Sequence, residues 1–61
     1  MTYEEARELK IGDTLEYATG FTAIVKRNHI GYVCLAFPTL NAQWEWYRHS
    51  ELGGYRRIDP L

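Results

Sequence analysis

The order of apolar and polar positions begins with a short helix. Thr2 and Glu5 have the three-residue spacing of a capping box, which favours a helix start here. Ala6 and Leu9 lie three positions apart and share one side of such a helix. The first ten residues are therefore predicted to form a helix that ends at the turn Ile11-Gly12-Asp13. It is too short to be stable alone, so we expect it to pack on a sheet.

From residue 14 onward, apolar residues recur at every second position, which is the period of a β-strand. The predicted strands are residues 14–17, 21–26, 32–37, 43–48 and 55–59, with Pro60 after the last one. The third strand is apolar on both sides, so we expect both of its faces to be buried. Between the last two strands, His49 to Leu52 predicts a single helical turn that places Leu52 in the core.

Five short strands in a chain of 61 residues favour a closed sheet, because an open sheet would leave one apolar face uncovered. We therefore expect a mainly β protein with one domain over residues 1–61, formed by the helix within 1–10 and a small five-stranded barrel over 13–60. The predicted core consists of seven apolar residues: Leu15, Val25, Val33, Leu35, Phe37, Leu52 and Ile58.

The layout of these segments resembles that of known small barrels. The segments are LKIGDTLEY, FTAIVKRN, GYVCLAF, WYRHSEL and YRRIDP. Over residues 9 to 60, their apolar positions and turns resemble the small SH3-like or Tudor-like barrel proteins of bacteria and bacteriophages. The resemblance implies an SH3-like barrel, and an accessory protein of a phage or mobile element that docks on a host factor. It does not imply a groove for proline-rich peptides, because the acidic loop and tyrosine pattern of such domains are missing here.

Charge and composition narrow the classes of partner. Seven Lys and Arg residues against eight Asp and Glu residues give a net charge of -1, which lacks the strong basic field of a dedicated nucleic-acid binder. The single cysteine can form no internal disulfide, and no apolar run approaches the roughly 20 residues of a membrane span. We therefore expect a cytoplasmic protein that acts without a membrane.

Aromatic residues make up 15% of the chain, more than a core of this size can hide. We expect Tyr17, Tyr47, Tyr55 and one of the two tryptophans, Trp44 or Trp46, to stay at least partly exposed. These rings can fill the barrel with their polar tips in water, and this structural interpretation is favoured for the set as a whole as well as for each residue. The functional interpretation of the same rings is a contact patch for a protein partner.

The predicted partner-binding residues are Trp46, Tyr47, Arg48 and Tyr55. They lie on the fourth and fifth predicted strands, where large aromatic side chains occur beside arginine. This is the composition of an interface hot spot. The sequence therefore predicts a binding module that acts through protein–protein contact.

Nucleic acid is the first alternative partner. Basic residues occur near the carboxyl-terminal strands and at the tip of the second strand, and such groups beside aromatic rings can bind a single strand. These residues are Lys26, Arg27, His29, Arg48, Arg56 and Arg57. The favoured explanation is different: ion pairs of the arginines with Glu45, Glu51 and Asp59 on a solvated sheet.

Catalysis is not predicted. His29 and His49 stand alone on expected loops without the spacing of a metal site, and Cys34 lies in an apolar strand where a thiol acts as a small hydrophobe. We therefore expect no enzyme, cofactor or metal. The remaining alternative is a homo-oligomer, most simply a dimer, whose interface hides aromatic surface or forms a ligand or catalytic pore.

Overall fold

A computed structural model describes residues 1–58 as one short helix and five strands in a single antiparallel sheet. The elements are α1 (Tyr3–Arg7), β1 (Thr14–Tyr17), β2 (Thr22–Asn28), β3 (Tyr32–Phe37), β4 (Gln43–Arg48) and β5 (Tyr55–Ile58). The strand order is β4-β3-β2-β1-β5. The prediction of a mainly β chain with five strands and an N-terminal helix is confirmed. Asp59 and Pro60, placed by the sequence at the end of the last strand, lie outside the described residues.

The capping box at the start of α1 forms as predicted. The Thr2 hydroxyl accepts a hydrogen bond from the Glu5 backbone N–H at 3.2 Å, and the Glu5 carboxylate accepts one from the Thr2 N–H at 2.8 Å. Ala6 and Leu9 are both buried in the core, as their spacing predicted. The helix is shorter than the predicted ten residues, because it ends at Arg7.

Strand β2 runs two residues further than the sequence predicted. The pairing of β2 with β3 shifts by one residue between Val25 and Arg27, which makes Lys26 the additional residue of a β-bulge. Beyond the bulge, pairing continues with Arg27 opposite Cys34 and Asn28 opposite Val33. The prediction that residues 27 and 28 belong to a loop is therefore wrong, because a bulge lets a polar segment stay in the sheet.

Most of the predicted core is confirmed. Six of its seven residues are buried: Leu15, Val25, Val33, Leu35, Phe37 and Leu52. Ile58 is only half-buried, because it lies on β5 at one edge of the sheet opposite Thr14. Strand β3 is buried on both faces from Val33 to Phe37, as its uniformly apolar sequence predicted.

Three of the turns contain a glycine for a structural reason. Gly12 and Gly20 have φ of 97° and 95°, which glycine adopts without steric cost. Gly53 and Gly54, in the turn before β5, do not adopt positive φ. Gly54 is required for another reason: a Cβ there would lie 2.6 Å from Cε1 of Tyr17.

Candidate functional site

Strand β4 carries two tryptophans on the side of the sheet that faces away from the core. Trp44 and Trp46 are 49% and 52% exposed, whereas Tyr47 between Trp46 and Arg48 packs partly against the core. The prediction that one of the two tryptophans is exposed is corrected, because both are, whereas the predicted partial exposure of Tyr47 is confirmed. Alternate residues of β4 therefore face opposite sides of the sheet, and the side that carries Tyr47 faces the core.

The register with β3 explains why the tryptophans lie outside. Trp44 pairs with Ala36 and Trp46 pairs with Cys34, and both of these small residues lie on the side of β3 opposite the core cluster. Ala36 and Cys34 are buried although they face outward. The indole rings thus stand beside the smallest side chains of β3, where there is room for them.

Two side chains from the end of β2 lie over these indoles. The Arg27 guanidinium carbon is 5.6 Å from the centroid of the Trp44 ring, a cation–π contact. The His29 ring stacks on Trp46 with centroids 5.6 Å apart and planes inclined by 24°. We call the surface formed by Arg27, His29, Trp44, Trp46 and Arg48 the tryptophan face.

Carboxylates neutralise little of this face. Of the two glutamates within the described strands, Glu45 lies on the opposite side of β4 and Glu16 is bound to Arg56 at 2.6 Å. Within residues 1–58, neither Arg27 nor Arg48 forms an ion pair with a carboxylate. The Glu51 carboxylate approaches β4 but accepts its hydrogen bond from the Arg48 backbone N–H, at 2.7 Å. Arg48 does not form the expected ion pair with Glu45 or Glu51 within residues 1–58, and the expected pairing with Asp59 lies outside the described residues.

The four predicted partner-binding residues are divided between two surfaces. Trp46 and Arg48 belong to the tryptophan face. Tyr47 and Tyr55 are half-buried and lie on the core side, where they line a shallow groove. The sequence missed Trp44, Arg27 and His29 as members of the first surface. The β-bulge in β2 sets the register that places Arg27 and His29 beside the tryptophans of β4, across β3. No pattern of neighbouring residues in the sequence indicates such a bulge.

The groove on the other side, which we call the tyrosine groove, is lined mainly by aromatic and aliphatic residues. Its apolar walls are Tyr17, Phe21, Phe37, Leu40, Tyr47 and Tyr55. The Tyr17 and Tyr55 rings meet edge to face at 4.9 Å, and Phe37 meets Tyr47 in the same way at 6.3 Å. Burial raises the pKa of the Tyr47 and Tyr55 hydroxyls, and for Tyr47 the charge of Glu45 adds to this effect. These phenols are therefore protonated at neutral pH.

His49 has a structural role that the sequence did not reveal. It is buried, and its Nε2 forms a 2.7 Å hydrogen bond with Oδ1 of Asn28. The Asn28 amide in turn donates to the carbonyls of Ala6, Arg7 and Leu9 at 3.3, 3.2 and 2.8 Å, which satisfies the end of α1. Burial lowers the pKa of His49 below its ordinary value of 6.5, and the nearby Arg7 lowers it further. The expectation that His49 lies on an open loop is wrong.

The remaining groups with reactive potential are placed as follows. Cys34 is buried, as predicted, and burial raises the pKa of its thiol, an effect that Arg27 partly opposes. No three His, Cys, Asp or Glu residues among residues 1–58 are grouped as metal ligands. In the same part of the chain, no helix has the length and apolar character needed to cross a membrane.

Comparison of the chain with models of protein families, with curated proteins and with solved structures finds no match.

Proposed function

We propose that this protein is a non-catalytic binding module and that the tryptophan face is its contact surface. The observation that carries the proposal is the pair of half-exposed indoles, Trp44 and Trp46, flanked on one side of the sheet by Arg27 and Arg48. Trp and Arg are among the residues that contribute most binding energy at interfaces. Two adjacent indoles in water leave apolar surface that a partner can cover.

The proposal includes an SH3-like barrel and a cytoplasmic location. The placement of β5 beside β1 and the single helical turn His49–Glu51 before the last strand support the barrel. The one cysteine, a buried thiol, suits a reducing compartment. An accessory protein of a phage or mobile element that docks on a host factor stays the biological setting suggested by the resemblance, and the tryptophan face is the surface such docking would use.

Binding rather than catalysis is proposed because the side chains with acid, base or nucleophilic potential are occupied. His49 is held by Asn28 inside the fold, and Cys34 is buried within β3. The ring of His29 stacks on Trp46. Each of these groups thus has a structural contact that explains its place.

A homodimer through the tryptophan face is less favoured. A two-fold contact would place this surface against its own copy, so Arg27 and Arg48 of one chain would approach the same residues of the other. Like charges brought together and removed from water destabilise such a contact. A ligand or catalytic pore formed through the tryptophan face would bring the same arginines together.

Affinity capture with matched variants tests the proposed surface. Wild-type protein, a Trp44→Ala/Trp46→Ala variant and Phe21→Ala are immobilised and exposed to a lysate of the source or host cell. Phe21 is the control because it is 50% exposed, like the tryptophans, but lines the tyrosine groove. Wild type and Phe21→Ala should retain the same partner, and the double variant should lose it. Retention by the double variant, or loss only with Phe21→Ala, would move the site to the groove.

A further inference from the structure

We infer that the partner of the tryptophan face is a single-stranded nucleic acid, an inference that rests on the proposed function. The tryptophan face combines stacking rings with unneutralised cations in one small area. Single-strand binders use the same combination: aromatic side chains stack on successive bases while basic side chains follow the phosphates.

The two indoles are spaced for successive bases. Trp44 and Trp46 are two residues apart on one strand and lie on the same side of β4. A strand rises about 3.4 Å per residue, so their Cα atoms are about 7 Å apart. Both rings are half exposed. A chain of unstacked bases can therefore meet one ring after the other along β4.

Each indole already stacks with a planar polar side chain. The Arg27 guanidinium lies over Trp44, and the imidazole of His29 lies nearly parallel to Trp46. Both side chains are exposed, and His29 belongs to the connection between β2 and β3, so a base can replace either one or stack on the free part of the ring. Planar groups thus already stack on these indoles, and a nucleobase also has a planar face that stacks on aromatic side chains.

The positive charges on the tryptophan face favour an anionic partner. The whole chain has a net charge of -1, yet the tryptophan face carries Arg27 and Arg48 without an ion pair among residues 1–58. Lys26 adds a third positive charge at the bulge of β2. Of the acidic residues, Glu4 and Glu5 lie in the first turn of α1 and Glu45 lies on the other side of β4, while the Glu51 carboxylate lies at the Arg48 end of the strand. A strand of phosphates placed along β4 therefore meets mainly positive charge.

These features favour a single strand over a duplex. Two or three cations are few beside the roughly 6–10 phosphate contacts of a protein that binds duplex DNA. A duplex also keeps its bases stacked on one another, so they are not open to the indoles. Tryptophan and arginine are also common at protein interfaces, so nuclease treatment of captured material is needed to separate a protein partner from a nucleic acid.

Fluorescence anisotropy with labelled oligonucleotides tests this inference. The probes are oligothymidylate, oligouridylate and a mixed-sequence duplex, each about ten nucleotides long, which lies within the site sizes of about 4–16 nucleotides seen for small barrels. We expect both single strands to bind more tightly than the duplex. Loss of one stacked base weakens binding by about 5- to 150-fold, so Trp44→Ala and Trp46→Ala should each show a loss in this range. Phe21→Ala should bind like wild type.

The dependence of the affinity on salt concentration distinguishes binding through phosphate contacts from purely apolar binding. Two phosphate contacts to a single strand give a slope of about -1.4 in log affinity against log salt, or about a sevenfold loss between 50 and 200 mM. Arg27→Gln should reduce that loss to about threefold. No binding by wild type at high micromolar protein and low salt would overturn the inference, as would an equal effect of Phe21→Ala and Trp46→Ala.

Nuclease treatment of the captured material separates failure of the inference from failure of the proposed function. If the partner depends on the tryptophans but survives nuclease and is itself a protein that needs no nucleic acid, the tryptophan face is a binding surface and the inference is wrong. If capture is the same with and without the tryptophans, both are wrong. Loss of a tryptophan-dependent partner after nuclease treatment agrees with the inference.

Discussion

Replacement of Asn28 by alanine should strongly destabilise this fold. Asn28 connects three elements, because its amide donates to three carbonyls at the end of α1 and its Oδ1 is hydrogen-bonded to the buried His49. Alanine removes all four contacts at once. It leaves the His49 Nε2 without its partner inside the fold.

The magnitude follows from the burial of the groups left behind. A buried polar group without a partner costs about 1–3 kcal/mol, and the lost contacts to partly exposed carbonyls add about 1 kcal/mol. We therefore expect the free energy of unfolding to fall by about 2–4 kcal/mol. A chain of this length has about 3–9 kcal/mol in total, so Asn28→Ala should be close to unfolding at room temperature.

Urea denaturation followed by tryptophan fluorescence measures the free energy of unfolding, and thermal denaturation followed by circular dichroism gives the melting temperature. Asn28→Ala should lower the melting temperature by about 8–32 °C, given about 4–8 °C per kcal/mol for a small domain. Gln43→Ala is the control, since Gln43 is an exposed polar residue at the start of β4 and should change the melting temperature little. Asn28→Asp keeps the acceptor for His49 but places a carboxylate against three carbonyls, so it should also destabilise the fold. An Asn28→Ala protein as stable as Gln43→Ala would refute the role given to this residue.

Three further changes test the structure. The contribution of neutral His49 to the free energy of unfolding should be fully present above pH 6.5 and should decline as the pH falls below it. The reason is that His49 takes up a proton in the unfolded chain, whereas its lowered pKa keeps it neutral in the folded chain. Urea titrations from pH 8 to about 5 should show this decline, and the His49→Gln variant should not show it. Gly54→Ala should cost about 1 kcal/mol by pushing the Tyr17 ring away, whereas Gly53→Ala, with open space around its Cβ position, should melt like wild type; equal melting points would contradict the close packing. Ala42 has a φ of 54°, so Ala42→Gly should stabilise the protein by about 0.5 kcal/mol in the same urea assay, and Ala18→Gly, at an exposed turn residue with negative φ, should not.

The sequence predicts the strands well because their period is local. Alternation and the capping box together predicted the helix start and all five strands, and the apolar run of β3 predicted burial on both faces. These features depend on residues close together in the chain. Five of the seven predicted core residues lie in these strands and are fully or nearly fully buried.

The sequence could not show which side of β4 faces the core. Both sets of alternate residues in β4 contain aromatic rings, so hydrophobicity alone favours burying the tryptophans. The choice is made by the register with β3, which places Trp44 and Trp46 beside Ala36 and Cys34. Likewise the bulge at Lys26 aligns Arg27 with the tryptophans, and a single extra residue in a strand leaves no recognisable pattern.

The burial of His49 was missed for a similar reason. Its neighbours Arg48, Ser50 and Glu51 are polar and exposed, so the segment has the composition of a surface turn. Its partner Asn28 lies 21 residues earlier in the chain. Only the contact of α1 with the turn before β5 encloses the ring, and that contact depends on the whole fold.

The most direct test of the tryptophan face as the binding surface is a two-dimensional NMR titration of ¹⁵N-labelled protein with oligothymidylate. The two indole N–H signals report Trp44 and Trp46 separately, and backbone signals report every other strand. We expect both indole signals and the amides of Arg27, His29 and Arg48 to shift with a common affinity, while those of Phe21 and Leu40 in the tyrosine groove stay in place. Shifts confined to the groove, or no shift of either indole at saturating oligonucleotide, would contradict the account.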